Sequence, residues 1–255
     1  MTKSFALIFL FLLSAKYQAQ SSAELRLTRQ GQIDSLVTFI QNNQIAQLAQ
    51  RVRYPLKRPN PVPDIQNAAE FIRYYPTLMD SNFRSSLIKQ TYTPENTIER
   101  HGNIGLLNGK IWLDEEGWII SFNHHSPQEL ALQMKLHEAI KAKIHSSVST
   151  WKENILVCQN KKFLIRIDRL ENNELRYCSW SKNKTISDPP DLILFQGKEE
   201  FQGTMGGVNY VFSNGDWTYS LDQVQMAESI ENLGLFLRLY RDDELVLNSQ
   251  MEEIK

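Results

Sequence analysis

His137 and Glu138 open the one stretch of this 255-residue chain that approaches a catalytic spacing. A zinc protease needs two histidines one helical turn apart with a glutamate beside the first. His137-Glu138-Ala139-Ile140-Lys141 puts lysine where the second ligand belongs. His145 follows two turns later, and the pair reads as the polar face of a helix ahead of a metal site. His124 and His125 are adjacent, so they point in different directions and suit two loop side chains better than two ligands of one ion. No Gly-x-Ser-x-Gly accompanies a serine nucleophile. The run Gly203-Thr204-Met205-Gly206-Gly207 lacks the lysine of a phosphate loop and precedes a strand, so it reads as a flexible or bulged strand connection. Asp114, Glu115 and Glu116 crowd one turn, and Asp188, Asp191, Asp242 and Asp243 sit in others. Glycoside hydrolysis needs two carboxylates at a set separation across a cleft, which turns do not provide. The sequence therefore points to no metal ligands, no cofactor and no catalytic constellation.

The elements that would position any site begin with residues 105–123, GLLNGKIWLDEEGWIISFN, where two turn signals separate three short apolar runs. Asn108-Gly109 is a strong hairpin signal, because both central positions of a type I′ turn need positive φ. Ile111, Leu113, Ile119 and Ser121 should share one face of a three-stranded meander, with Trp112 and Ile120 on the other. Upstream, apolar residues from Leu25 to Val52 recur at helical spacing, with a break near Asn42-Asn43. Four prolines from Pro55 to Pro63 predict an extended crossing. Asn67 with Glu70, and Asp80, mark the starts of two short helices. Ser126-Pro127-Gln128-Glu129 predicts a third, running to about His145 with Leu132, Leu136, Ile140 and Ile144 as its stripe.

From about Asn154 the pattern changes to period two. Phe163/Ile165/Ile167, Val208/Tyr210/Phe212, Trp217/Tyr219/Leu221 and Leu235/Leu237/Leu239 alternate between turn signals, which predicts seven to nine strands in an antiparallel sandwich or small barrel. The fold class expected is α+β, divided as a leader over 1–20, an α+β domain over 21–125, a connecting helix over 126–150 and a β-rich domain over 151–255.

Residues 1–20 have the form of a secretory signal peptide: Lys3, an apolar run from Phe5 to Leu13, then small and polar residues. That run is too short to span a bilayer, and no later segment is long and apolar enough. Loss of Lys3 and Lys16 with it would take the formal charge from −1 to −3, which gives no electrostatic argument for nucleic acid. Export, to the periplasm or beyond, permits a disulfide between the two cysteines, Cys158 and Cys178. A hairpin turn at Glu171–Asn173 argues against it, since Cys178 would then face about Arg166. Cys178 also lacks a patterned base, so a disulfide or a core thiol precedes a nucleophile.

The order helix, Tyr54-Pro55-Leu56 crossing, two short helices and meander resembles the α+β cone of the NTF2-like superfamily, over roughly residues 24–123. The pieces RYPLKRPNPVP, NAAEFIRYY, NGKIWLD, KKFLIRIDRL, RYCSWSK and NGDWTYSL are similar to those of secreted bacterial proteins that join such a region to a β-rich C-terminal domain. The resemblance implies export and architecture and lends no catalytic residues. If the cone has a pocket, Tyr54, Arg73, Trp112, Asp114 and Trp118 are the candidates to line it; otherwise the aromatics fill the core. The expected function is that of a non-catalytic binding protein of the bacterial envelope, taking a small ligand, a cell-wall fragment or a protein that it restrains. The competing reading is an enzyme with Asp114 or His101 as general acid or base and Trp112 as a wall. A third class, an assembly component of the envelope, predicts an exposed apolar patch on the β domain.

Overall fold

A computed structural model describes residues 24–93, 95–202 and 207–255. The stretch read as a signal peptide lies outside the described residues, as does Gly203–Gly206. Two compact units emerge, one comprising residues up to Arg58 together with Pro63–Leu132, the other Pro59–Val62 together with Gln133–Lys255. The division falls inside the third predicted helix and returns four residues of the proline-rich crossing to the second unit.

The first unit is α+β. Helix α1 covers residues 24–41 and stops where Asn43 takes a φ of 55°, at the predicted break; α2 follows at Ile45–Ala49. The proline-rich segment does not cross in extended form. Leu56 and Ile65 exchange both backbone hydrogen bonds, at 2.8 and 3.0 Å, so the chain doubles back between them. Helix α3 (Ala68–Leu78) starts at Asn67, whose side chain accepts from the Glu70 amide at 3.0 Å, while Glu70 accepts from the Gln66 amide at 2.8 Å. Helix α4 (Ser81–Ile88) is capped by Asp80, which accepts from the Asn82 and Phe83 amides at 2.9 Å.

The meander has four strands, not three: β1 (Thr97–Arg100), β2 (Asn103–Leu106), β3 (Ile111–Leu113) and β4 (Ile119–Phe122), antiparallel in sequence order. The added strand carries mostly exposed side chains and so no apolar signal. Turn residues Leu107, Asn108 and Gly109 all have positive φ. A bulge between Trp112 and Leu113 pairs Leu113 with Ile119 and Trp112 with Ser121. It therefore places Phe122 in the core where Ser121 was expected, because one extra residue inverts which side chains face inward. Ile104, Leu106, Ile111, Leu113, Ile119 and Phe122 share one core with Ile33, Ile40, Phe71, Leu78 and Leu87 of the helices. Each such aliphatic side chain contributes about 2 kcal/mol of burial.

Helix α5 (Pro127–Lys141) begins at Ser126, whose hydroxyl accepts from the Glu129 amide at 3.0 Å, and ends four residues short of the expected His145. His145 instead caps a 3₁₀ turn at Ser146–Val148. The second unit is then a closed antiparallel barrel of eight strands: β5 (Glu153–Gln159), β6 (Phe163–Arg169), β7 (Leu175–Ser181), β8 (Leu192–Phe201), β9 (Gly207–Asn214), β10 (Trp217–Val224), β11 (Gly234–Arg241) and β12 (Glu244–Glu253). Neighbouring strands follow in sequence, and β12 returns to β5 through Glu252↔Gln159 and Glu253↔Cys158, followed by Ile254 donating to the Val157 carbonyl at 2.9 Å. Asn60 extends this short seam by donating to the Ile155 carbonyl at 2.8 Å.

Inside the barrel lie Leu156, Cys158, Ile165, Ile167, Tyr177, Tyr210, Phe212, Leu221, Leu235 and Leu237, the inward halves of the alternations in the sequence. An eight-stranded barrel is just wide enough for side chains to fill it or to hold one small ligand. Phe212 helps to fill this one, packing so closely on Gly197 that a Cβ there would sit 2.2 Å from the ring. Cys158 and Cys178 are not bonded; both thiols are free and buried. Cys158 pairs with Ile165 and Cys178 with Arg166, and residues 165 and 166 face opposite sides of one strand. One thiol therefore belongs to the barrel core and the other to a cluster outside it with Ile144, Val148, Trp151 and Trp180. Burial pushes both up to about 12, which leaves them unreactive as nucleophiles.

Candidate functional site

The five residues expected to line a cone pocket do not converge on one. Tyr54 packs against the first unit's core and donates to the Ala49 carbonyl at 2.8 Å; burial holds its phenol up at about 12. Arg73 is exposed beside a shallow depression of about 250 Å³ with Asp64, Glu70 and Tyr74. Trp112 lies on the outer face of the sheet over Gly105, where a Cβ would meet its ring at 3.0 Å. Asp114 caps the β3–β4 turn, accepting from the Glu116 and Trp118 amides at 3.0 and 2.9 Å, and pairs with Arg53 at 3.0 Å. The Arg53 guanidinium in turn sits 4.5 Å from the Trp118 ring centroid. Asp114 and Trp118 of this turn thus join Arg53 in one partly exposed cluster, held by hydrogen bonds and a cation–π contact. His101, the other candidate acid or base, is an exposed turn residue with φ 49°.

What the first unit brings together is a polar centre around α5. Glu129 is fully buried and Arg58 is 5% exposed. Arg58 Nε donates to Glu129 Oε1 at 2.7 Å and Nη2 to Oε2 at 2.5 Å, a two-pronged pair. The remaining Arg58 protons go to the Phe122, His124 and Lys57 carbonyls. Tyr74 donates to Glu129 at 3.3 Å, and burial with Glu129 nearby pushes its phenol above its ordinary range. His125 Nδ1 lies 3.1 Å from Glu129 on the solvent side. The pairing holds the β4–α5 junction in one geometry, with Ser126 Oγ also bonded to the Thr77 carbonyl.

That junction gives His124 different partners from His125. His124 stacks on Phe83, with centroids 3.8 Å apart and planes 10° from parallel, and its Nε2 lies 2.6 Å from Asp80 Oδ2. Burial raises Asp80, but hydrogen bonds from the Phe83 amide, His124 and the Asn82 amide outweigh it, and the carboxyl sits below its ordinary 3.8. Asp80 is therefore an anion at neutral pH, with Oδ1 fixed by the helix cap and Oδ2 by the imidazole. The pair lines an open depression of about 370 Å³ shared with Asn82, Ser86, Asn108 and Lys110.

This arrangement can hold a polar ligand by several hydrogen bonds and one ammonium. The Ser86 hydroxyl at its edge donates back along its helix to the Asn82 carbonyl at 2.9 Å. Among the described residues no three His, Cys, Asp or Glu side chains gather to bind a metal ion. Sequence reasoning found Asp80 as a cap and His124 as a loop residue, but no local signal joins residues 44 apart. No protein-family model, no curated protein and no solved structure matches this chain.

Proposed function

We propose that this is an exported, non-catalytic binding protein of the bacterial envelope whose first unit takes a small polar ligand in the His124–Asp80 depression. The observation that carries the reading is the convergence there of an anchored His–carboxylate pair, the Asn82 and Asn108 amides and Lys110. A ligand with hydroxyls, amides and a carboxylate, such as a cell-wall fragment, matches that set of donors and acceptors. An NTF2-like ancestry of the first unit is consistent with helices and one sheet face sharing a core, and the apolar character of residues 5–13 supports export. Retention of Met1 in protein recovered from its host would remove the export step.

The binding step is tested by NMR titration of the full chain with muramyl dipeptide and with the dipeptide alone. His124 ring and Asn82 and Asn108 side-chain resonances should shift saturably, and Lys110→Ala should weaken binding about tenfold, the equivalent of about 1.4 kcal/mol. Absence of any shift at these residues would refute this site. Turnover of the fragment during the titration would replace binding by the enzyme reading.

A further inference from the structure

The outer wall of the barrel carries a second polar cluster that the proposed binding site does not use. Ile165, Ile167 and Tyr177 face the barrel core, so Arg166, Asp168 and Arg176 between them face outward. They are nevertheless 2%, 0% and 3% exposed. The C-terminal half of α5, the 3₁₀ turn and Trp151 cover them. The Arg166 guanidinium lies 4.1 Å from the Trp151 ring centroid, His137 meets the same ring edge-on, and Arg176 donates to the Val148 carbonyl at 2.9 Å. Asp168 is the shared acceptor, taking bonds from Arg166 Nε at 2.9 Å, Arg176 Nη2 at 2.8 Å and Asn154 Nδ2 at 3.0 Å.

Two features of this cluster are unbalanced. Two guanidinium charges face one carboxylate, with Lys141 5.5 Å from the Trp151 ring and Glu138 paired with Lys141 at 3.0 Å. Five buried atoms also lack a hydrogen-bond partner of good geometry: His137 Nε2, Trp151 Nε1, Asn154 Oδ1, Arg166 Nη2 and Arg176 Nε; the Arg176 side chain also reaches the weakly accepting Cys178 thiol. Arg166 Nη2 does lie 2.7 Å from Asp168 Oδ1, but not in the alignment of a hydrogen bond. Three of the five are N–H donors by their chemistry, and a fourth is one in either protonated form of His137 that places hydrogen on Nε2. An uncompensated buried charge and unmade buried hydrogen bonds are each costly, and a bound anion relieves both.

We propose that this cluster, between the barrel wall and its helical cover, is a binding site for a small carboxylate. The anion's oxygens accept from Trp151 Nε1, Arg166 Nη2 and Arg176 Nε and neutralise the surplus guanidinium charge. A hydroxyl on the same molecule satisfies Asn154 Oδ1, so glycolate fits better than acetate.

The test is calorimetry and tryptophan fluorescence of the full chain at pH 7 and fixed ionic strength, moved from a bulky sulfonate buffer into acetate, glycolate or inorganic phosphate. The proposal expects the second unit's transition to rise saturably by about 3 °C in acetate, with half-saturation at lower concentration in glycolate. Trp151→Phe keeps the ring and removes one donor, and it should weaken the response about fivefold; Arg176→Gln removes the surplus charge and should abolish it. An unchanged transition in every anion would overturn the site, as would an equal response in Trp151→Phe, the variant that tests the site even if Arg176→Gln fails to fold. A response to phosphate alone would overturn its assignment to carboxylates.

Discussion

Arg58 with Glu129 in the first unit and Arg166 with Asp168 and Arg176 in the second are both buried ionic groups on segments that touch a helix start or cover. In the first, one cation meets one anion in a two-pronged pair, and the spare protons of Arg58 reach three backbone carbonyls. In the second, two cations share one anion and several polar atoms around them go unmatched. Burial alone therefore does not say what a charge is for. A pair that closes on itself fixes geometry, here that of the junction presenting His124, whereas a surplus of buried charge and donors calls for something else to bind.

The largest effect that sharpens this contrast is expected from Asp168→Asn. It leaves two buried guanidiniums without an anion and should cost the second unit about 3–5 kcal/mol, read as a lower urea midpoint by Trp151 and Trp180 fluorescence. Glu129→Gln should cost the first unit about 3 kcal/mol, because the amide still accepts one bond from Arg58. Here the contrast can be broken: Arg58→Met with Glu129→Leu should recover most of that loss, since both members of a balanced pair are replaced together. Failure of that double variant to recover would mean that the pair does more than fix the junction. Ser126→Ala removes the cap of α5 and should cost about 1 kcal/mol in the same urea experiment.

The pH responses of the two units differ in the same sense. Burial, then Arg166 and Lys141, hold His137 below its ordinary 6.5. The unfolded chain therefore binds the proton more readily, and the stability this group contributes is present above 6.5 and falls as pH drops through that value toward the folded one. Asp80 is depressed below 3.8, so its contribution is present above 3.8 and is lost only as pH falls through its lower folded value. Urea titrations between pH 7 and 3 should show the second unit weakening first, and His137→Phe should flatten that early slope.

Local chemistry carried much of this architecture in the sequence. The caps at Asn67, Asp80 and Ser126, the break at Asn43 and the period-two strands are all set by residues within a turn of one another, and each is present in the fold. Even the opposition of Cys178 to Arg166 followed from the turn at Glu171–Asn173. The bulge at Trp112 was not legible, because register depends on a partner strand, and β1 was not, because its side chains stay in water. The site residues were hidden for the same reason. Asp80 meets His124, and Arg58 meets Glu129, only after 44 and 71 residues of intervening chain have folded.

The central claim, that the His124–Asp80 depression binds a small polar molecule, is tested most directly by native mass spectrometry of the protein purified from its own host. The account predicts a retained small mass that disappears in Asn82→Ala combined with Lys110→Ala while the fold persists. A bare chain, or a retained mass that survives those substitutions unchanged, would contradict it.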